Sequence, residues 1–259
     1  MISRTMNRFF VSKKSFHGQT VLLGSDHAHQ LCDVLRMKEG EHIVVLDNEG
    51  LEYDVILTQV RREQVIGQIE EKRPAAGEPA VQVTLFQSLL TRDKFEIVLQ
   101  KCTEVGVTEF VPMVTERSLI RETFIKPEKV DRWQRIITEA AEQSHRGRIP
   151  KLLSPLSFVQ ALEQLADFDR RLIAWPAPEC LYRGPAEGGL SLRQALRADN
   201  KNVPRTVALL IGPEGGFSER EVELAKENSV TPITLGPRIL RTETAAIVAS
   251  ALVLYEVSG

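Results

Sequence analysis

Apolar and polar residues alternate with a period of two along the first part of the chain. From Leu51 to Thr58 every odd-numbered position is apolar or aromatic, and Glu52 and Asp54 lie between them. This pattern predicts a strand with one buried face and one solvent-exposed face. Only 25–37 reads as a helix. The predicted strands are 8–11, 21–23, 42–47, 51–60 and 64–70. We expect them to close into a small β-barrel, because closure leaves no exposed strand edge.

Beyond residue 80 short apolar runs alternate with segments of helical period. The predicted strands are 81–87, 109–113, 171–175, 206–211 and 232–235, and the predicted helices are 92–105, 127–145, 157–165, 192–198, 218–228 and 242–257. Such alternation is typical of an α/β domain whose parallel sheet is covered on both faces. A breaker-rich link separates the two patterns. We therefore predict domains at 1–73 and 81–259, joined by a linker at 74–80.

Composition excludes several classes of protein. The 259 residues are 42% hydrophobic, which supports a large core, and the net charge of -2 gives no global sign of a nucleic-acid partner. The three cysteines, Cys32, Cys102 and Cys180, have neither disulfide-scaffold nor metal-ligand spacing. No segment has the pattern of a signal peptide or a membrane span. We expect a cytoplasmic protein with no membrane association and no metal.

Two stretches are locally rich in Arg and Lys. The first contains Arg4, Arg8, Lys13 and Lys14, and the second runs over 117–148. An RNA-binding surface and an ordinary solvated face account for these charges equally well, because acidic residues interleave with many of them in the second stretch.

The stretch 209–221, LLIGPEGGFSERE, predicts a ligand-binding loop. A buried strand ends at Gly212, Gly215 and Gly216 leave the backbone bare, and Ser218 and Glu221 have the spacing of a capping box that begins a helix. The stretch 235–246, LGPRILRTETAA, follows the same plan and leads into an apolar helix that we expect to be deeply packed.

The chemistry of these loops points to an adenosine ligand without phosphate. Nucleotide-like ligands bind at the carboxyl ends of parallel strands, where backbone groups can read an adenine edge. Neither GxGxxG nor a P-loop is present, and Glu214 would repel a phosphate. S-adenosylmethionine is the common cofactor of this description.

Both motifs resemble the paired C-terminal motifs of SPOUT methyltransferases, above all the ribosomal RNA small subunit methyltransferase E family. The other matching blocks, in the same order, are 8–10 (RFF), 34–36 (VLR), 101–106 (KCTEVG), 115–118 (TERS) and 139–146 (EAAEQSHR). The resemblance implies an N-terminal PUA-like β-barrel that binds RNA, and a C-terminal SPOUT domain with a deep trefoil knot. It also implies a homodimer. The general rule against threaded chains would have argued against the knot.

The implied reaction is methyl transfer from S-adenosylmethionine to N3 of one specific uridine in 16S ribosomal RNA, within the assembled or nearly assembled 30S subunit. Uridine N3 is a poor nucleophile until its proton is removed or withdrawn. Arg241 is the first candidate for the acceptor side, because a guanidinium binds an anion through two parallel hydrogen bonds. Glu142 is a candidate base or orienting group on the face it shares with Glu139, Gln143 and Arg146. A helix-surface ion pair is the alternative for each.

The expected site residues fall into two further groups. The cofactor-binding residues are Leu210, Ile211, Gly212, Pro213, Glu214, Gly215, Leu235, Gly236, Ile239, Leu240, Arg241, Thr242 and Thr244, acting mostly through backbone groups. The RNA-binding residues are Arg8, Arg36 and Arg146. Met113, Trp133 and Trp175 are interpreted as core residues. Two alternatives remain: a SPOUT methyltransferase for another RNA such as tRNA, and an RNA-binding protein without activity.

Overall fold

The computed structural model describes residues 6–175, 190–197 and 203–258. Its contacts divide the chain into two compact units. The first comprises Met1–Glu78 together with Ala141–Ile149, and the second comprises Pro79–Ala140 and Pro150–Gly259. The return of 141–149 to the first unit is a feature that the alternation of strands and helices does not predict. Cys180 lies outside the described residues.

The first unit is a mixed six-stranded sheet with one short helix. Its elements are β1 (Arg8–Phe10), β2 (Phe16–His17), β3 (Thr20–Leu23), α1 (Ser25–His29), β4 (His42–Leu46), β5 (Leu51–Val60) and β6 (Val65–Pro74). The strand order is β1-β4-β5-β6-β3-β2, and only the β1–β4 pair is parallel. The alternating apolar residues fill one core, with Val21, Ile43, Val55 and Leu57 at most 1% exposed.

Two details of this unit differ from the sequence expectation. The described ladders leave β1 and β2 as edges, so the sheet is a half-barrel rather than a closed barrel. The helix is shorter than predicted: a wider π turn (Gln30–Val34) continues α1, and Arg36 then adopts a left-handed φ of 54°. The N–H of Met37 donates back to the carbonyl of Leu31 (2.8 Å), which ends the helix before the predicted limit.

The segment 141–149 is held to the first unit by backbone-directed hydrogen bonds. The Glu142 carboxylate accepts from the Phe10 N–H (2.9 Å), and the side chain of Asn48 accepts from the Ile149 N–H (2.7 Å). Apolar contacts join this segment to the strands, since Ala141 and Ile149 pack with Phe10 and Leu46. These contacts satisfy groups that a loop would otherwise expose to water.

The second unit is built on a wholly parallel sheet. Its strands are β7 (Gln82–Ser88), β8 (Glu109–Val114), β9 (Lys151–Leu152), β10 (Leu156–Ser157), β11 (Arg170–Ala174), β12 (Leu190–Ser191), β13 (Thr206–Ile211) and β14 (Thr231–Thr234). Its described helices are α2 (Lys94–Val105), α3 (Pro127–Gln143), α4 (Phe158–Glu163), α5 (Leu192–Leu196), α6 (Glu219–Glu227) and α7 (Thr242–Ser258). The last three residues of α3 belong to the first unit.

The parallel sheet has the order β10-β8-β7-β13-β11-β14-β12, with β9 also paired to β8. Phe86, Leu210 and Ile173 pack with α4 and α6 on one face. Leu209 alternates with Leu210 and therefore points to the other face, against which α7 packs together with α2. The prediction of a parallel sheet covered on both faces is confirmed.

Several predicted boundaries move. Strand β6 runs on to Pro74, because residues 71–74 pair with 51–54 and extend the ladder into the predicted linker. Helix α3 ends at Gln143, since His145 takes a left-handed φ of 60°. The spacing predicts that Arg146 shares a helical face with Glu142. This prediction is wrong, because the helix ends before Arg146. The two-residue strands β9, β10 and β12 are too short to leave a sequence period.

The packing of α7 against α2 predicts an inert thiol. Burial raises the pKa of the Cys102 thiol to about 12, and its sulfur contacts the Ser250 hydroxyl at 4.0 Å. Because the thiolate is the reactive species, we expect iodoacetamide at pH 8 to modify Cys102 only after denaturation, whereas the half-buried Cys32 reacts in the native protein. Peptide mass mapping before and after denaturation measures this. Native labelling of Cys102 at the rate of Cys32 would contradict the packing.

Candidate functional site

The first glycine-rich loop joins β13 to α6 through a tight turn. The N–H of Gly216 donates to the carbonyl of Pro213 (2.9 Å), and Gly216 has a φ of +67°, which favours glycine. Ser218 then caps α6: its hydroxyl accepts from the Glu221 N–H, and the Glu221 side chain accepts from the Ser218 N–H. The predicted capping box is confirmed.

The second loop leaves β14 and reaches α7 over residues 235–241. Gly236 has a φ of +113°, and its N–H donates to the hydroxyl of Thr234 (3.2 Å). The Ala245 N–H donates to the carbonyl of Arg241 (2.8 Å), which closes the first turn of α7. The two loops follow strands of the same parallel sheet, so they lie at the same edge of it.

The two loops enclose a cavity of about 400 Å³, within the size range of small-molecule sites. Of the expected cofactor-binding residues, those that line it are Ile211, Gly212, Pro213, Glu214, Gly215, Leu235, Gly236, Ile239, Leu240, Arg241 and Thr242. Leu210 and Thr244 do not. Leu210 is fully buried in the core beneath the loop, and Thr244 is exposed on α7.

A buried hydrogen-bond chain ties the loops to each other. The Thr242 hydroxyl donates to the Gly212 carbonyl (2.5 Å), and the Gln87 amide donates both to the Thr242 oxygen (3.3 Å) and to the Ser88 carbonyl (3.0 Å). Gln87 is 1% exposed and Thr242 is 8% exposed. Because these groups are buried, water does not replace the hydrogen bonds when they are lost. The Thr242 hydroxyl at the start of α7 therefore fixes the backbone at Gly212.

We expect Thr242→Val to loosen this junction. Valine keeps the shape of threonine but cannot donate to the Gly212 carbonyl, so the free energy of unfolding should fall by about 1–3 kcal/mol. Urea denaturation measures the change. Thr244→Val is the matched control two residues along, where an exposed side chain should change stability by less than about 0.5 kcal/mol. Equal losses in both variants would contradict a specific role for the Thr242 hydroxyl.

The segment 115–118 (TERS) after β8 braces the first loop from a second direction. The Glu116 carboxylate accepts from the Ser218 hydroxyl (2.7 Å), and the Glu116 N–H donates to Glu221 (2.8 Å). The Arg117 guanidinium donates to the carbonyls of Gly215 (3.2 Å) and Phe217 (3.4 Å). Sequence blocks separated by about a hundred residues therefore hold one loop in shape.

The charge of Glu214 is already compensated within the second unit. Its Oε1 accepts from Lys94 Nζ and from the Thr91 hydroxyl, both at 3.1 Å. Burial by itself raises the pKa of Glu214, but its own backbone N–H and these two side chains donate hydrogen bonds that outweigh burial, so the pKa lies below its usual range. This arrangement favours a role for Glu214 in positioning the loop.

Glu142 and the expected RNA-binding residues lie in the first unit. Glu142 is not among the residues that line the cavity, and its carboxylate accepts a hydrogen bond from the Phe10 N–H. The side chain of Arg146 is 3% exposed and paired with Glu78, and that of Arg8 is 9% exposed and paired with Glu52. Their burial argues against the expected RNA contact at both positions. Arg36 is exposed.

Several lining residues were missed by sequence reasoning. Trp175, interpreted as a core residue, follows β11 and lines the cavity at the end of that neighbouring strand. Lys94 comes from α2, and Glu243 from the first turn of α7. Trp175 lies at the carboxyl end of a predicted parallel strand, and that position could have indicated a place in the site. Lys94 is far from both loops in the sequence, so no sequence signal indicated its place in the site.

Both units of the chain match known RNA methyltransferases. Residues 77–254 match the family model described as an RNA methyltransferase domain, and residues 24–70 match the RNA methyltransferase PUA domain. Ribosomal RNA small subunit methyltransferase E of Bacillus subtilis is 33% identical over 257 residues, which cover 97% of each chain. The chain belongs to this RNA methyltransferase family. The Synechocystis member is 35% identical over 94% of this chain and 76% of its own.

Solved structures agree with the family assignment. The small subunit methyltransferase E from Neisseria gonorrhoeae, bound to S-adenosylmethionine, superposes with a TM-score of 0.82 at 30% identity, covering 95% of this chain and 96% of its own. A methyltransferase from Legionella pneumophila, also solved with S-adenosylmethionine, has a TM-score of 0.82 at 31% identity, with coverages of 96% and 97%. The fold is therefore that of a PUA-like half-barrel and an α/β methyltransferase domain.

Two absences hold for the described residues, which are 6–175, 190–197 and 203–258. No group of three or more His, Cys, Asp or Glu side chains is arranged to hold a metal ion in that part of the chain. Of the helices in 6–175, 190–197 and 203–258, none combines the length and the apolar character needed to span a membrane.

Proposed function

We propose that this chain transfers a methyl group from S-adenosylmethionine to N3 of one specific uridine in 16S ribosomal RNA, within the assembled or nearly assembled 30S subunit. The observation that carries the proposal is the cavity between the two glycine-bearing loops, in a chain of this RNA methyltransferase family. Its lining offers backbone groups and apolar side chains, with an acidic residue where a phosphate would sit.

The cofactor-binding residues of this proposal are those of the expected set that line the cavity. Gly212 and Gly236 expose their backbone groups to the ligand, and Leu235 and Leu240 supply apolar surface. Thr242 acts indirectly, through its hydrogen bond to the Gly212 carbonyl. Support for the choice of ligand comes from the relatives solved with S-adenosylmethionine at about 30% identity. When bound, that cofactor supplies an electrophilic methyl group.

Arg241 is proposed to act on the acceptor side. It is exposed at the start of α7 and lines the cavity, so its guanidinium can bind an RNA phosphate or the charge that develops on uracil oxygens. The proposal also includes the trefoil knot, formed by the two loops and the one preceding them, and a homodimer. The proposed domain limits are 1–73 and 81–259, with 141–149 packed in the first unit. The half-barrel is proposed to engage the RNA.

Incubation with isotopically labelled S-adenosylmethionine tests the function. Three acceptors are compared: 30S particles, protein-free 16S RNA and tRNA, followed by mapping of the modified base. We expect incorporation at one uridine N3, highest with 30S particles. Labelling of tRNA alone would indicate a SPOUT methyltransferase for another RNA, and no labelling of any acceptor, together with retained RNA binding, would indicate a protein that only binds RNA.

An exposed arginine of the first unit allows a clean test of RNA binding. We expect Arg36→Asn to weaken binding to 16S RNA and to lower the slope of log K against log salt by about 1, because one phosphate contact is lost. Asparagine tolerates the left-handed φ of 54° at this position. Filter binding across a salt series measures the slope.

Arg36→Lys is the matched control for this experiment. Lysine keeps the positive charge, so the salt slope should stay at the wild-type value. S-adenosylmethionine affinity should be unchanged in both variants. Wild-type slopes for Arg36→Asn would remove Arg36 from the RNA-binding surface, and loss of donor affinity would indicate a folding defect.

A further inference from the structure

One carboxylate in the cavity has an oxygen that the fold leaves without a hydrogen bond. Glu243 is the second residue of α7 and lines the cavity. Its Oε2 is buried and has no hydrogen-bond partner among the residues that the structure describes. A buried carboxylate oxygen without a donor costs free energy, so a glutamate kept at this position calls for a functional explanation.

The other charged groups of the cavity do not supply that donor. Lys94 and Glu214 pair with each other, and Arg238 and Arg241 both come from the second loop. Neither arginine donates a hydrogen bond to Glu243 Oε2. Of the two acidic residues that line the cavity, Glu214 is therefore paired within the protein, whereas Oε2 of Glu243 has no partner among the described residues.

The start of α7 gives the Glu243 carboxylate a defined position beside the first loop. Glu243 lies in the first turn of a helix of 17 residues, where the unpaired N–H groups and the helix dipole favour a negative charge. Thr242 beside it is fixed by the bond to the Gly212 carbonyl, so the first turn has a defined position against the first loop. In the sequence, Arg241 and Glu243 thus flank one anchored residue.

We propose that Glu243 is the catalytic base of the methyl transfer, an inference that rests on the proposed function. Its carboxylate accepts the proton of uridine N3 as the N3 lone pair attacks the methyl carbon of the sulfonium. The N3–H and S–CH3 bonds break, and the N3–CH3 and O–H bonds form. The positive charge of the sulfonium and the negative charge of the carboxylate disappear together, and the proton leaves later to water.

The decisive variant is Glu243→Gln, which keeps the shape and a hydrogen-bond acceptor but loses the basicity. We expect the affinity for S-adenosylmethionine by calorimetry to be unchanged, while the single-turnover rate on 30S particles falls by about 10² to 10⁴. The wild-type rate should not rise tenfold per pH unit, because the carboxylate takes the proton from neutral uridine. The variant's rate should keep rising tenfold per pH unit, because it depends on the ionised fraction of the uridine itself.

Two further variants make the result specific. Glu219→Gln is the matched control, since this exposed glutamate occupies the first turn of α6 and does not line the cavity, and it should leave the rate unchanged. Glu243→Asp keeps a carboxylate and should restore the weak pH dependence of the wild type, at a reduced rate.

Three results would overturn the role of Glu243 while leaving the proposed function intact. They are an unchanged rate in Glu243→Gln, a wild-type pH profile in that variant, and a loss of donor affinity equal to the loss of rate, which would make Glu243 a donor ligand or a structural residue. Failure of the wild type and of Glu219→Gln to methylate uridine in any RNA would instead refute the proposed function, and the inference with it.

Discussion

Replacement of Gly212 by valine is expected to abolish donor binding while the protein stays folded. A Cβ at this position would lie 3.1 and 3.2 Å from ring atoms of Phe217 and 3.2 Å from its backbone nitrogen. Phe217 is 2% exposed and packs on Phe158, with ring centroids 5.6 Å apart, so it cannot move away easily. The first loop must then shift, and the two branched methyl groups of valine need still more room.

Calorimetry with S-adenosylmethionine measures the effect, and we expect the dissociation constant to rise by about 100-fold or more. Gly24→Val is the matched control, because Gly24 has no heavy atom within 4 Å of an added Cβ and lies in the first unit. That variant should bind the donor with wild-type affinity. Equal affinities in Gly212→Val and Gly24→Val would refute the assignment of the cavity as the donor site.

The features that could be predicted from sequence are those with local causes. The capping box at Ser218 and the end of β13 before Gly212 each depend on residues within a few positions of one another. The two loops could be placed together because parallel strands present their carboxyl ends at one edge. The prediction of a phosphate-free adenosine ligand followed from the absence of phosphate-binding motifs in the loops. The family resemblance supplied the reaction and supported the choice of cofactor.

The features that escaped prediction depend on contacts between distant parts of the chain. The pairing of Lys94 with Glu214 and the contacts of Arg117 with the Gly215 carbonyl join residues about a hundred or more positions apart. Arg146 shows the same limit, because i+7 spacing predicts an exposed helical face only if the helix continues. A left-handed residue at 145 ends it, and the arginine is buried instead.

That buried arginine leads to the largest expected loss of stability. The Glu78 carboxylate accepts from Arg146 Nη2 (2.8 Å) and Nε (3.2 Å), and from the N–H groups of Gly147 (3.0 Å) and Arg148 (3.1 Å). The Arg146 side chain is only 3% exposed. Glu78→Ala removes a carboxylate that pairs with a buried guanidinium, so we expect the free energy of unfolding to fall by about 3 kcal/mol or more.

Urea denaturation of Glu78→Ala and of a surface control separates this pair from ordinary ion pairs. Glu223 pairs with Lys226 at 2.7 Å on α6, with side chains 65% and 44% exposed. Glu223→Ala should therefore cost less than about 1 kcal/mol, because solvent screens an exposed pair. The loss in Glu78→Ala should persist at high salt, since burial limits screening. Similar small losses in both variants would mean that Glu78 does not hold 141–149 to the first unit.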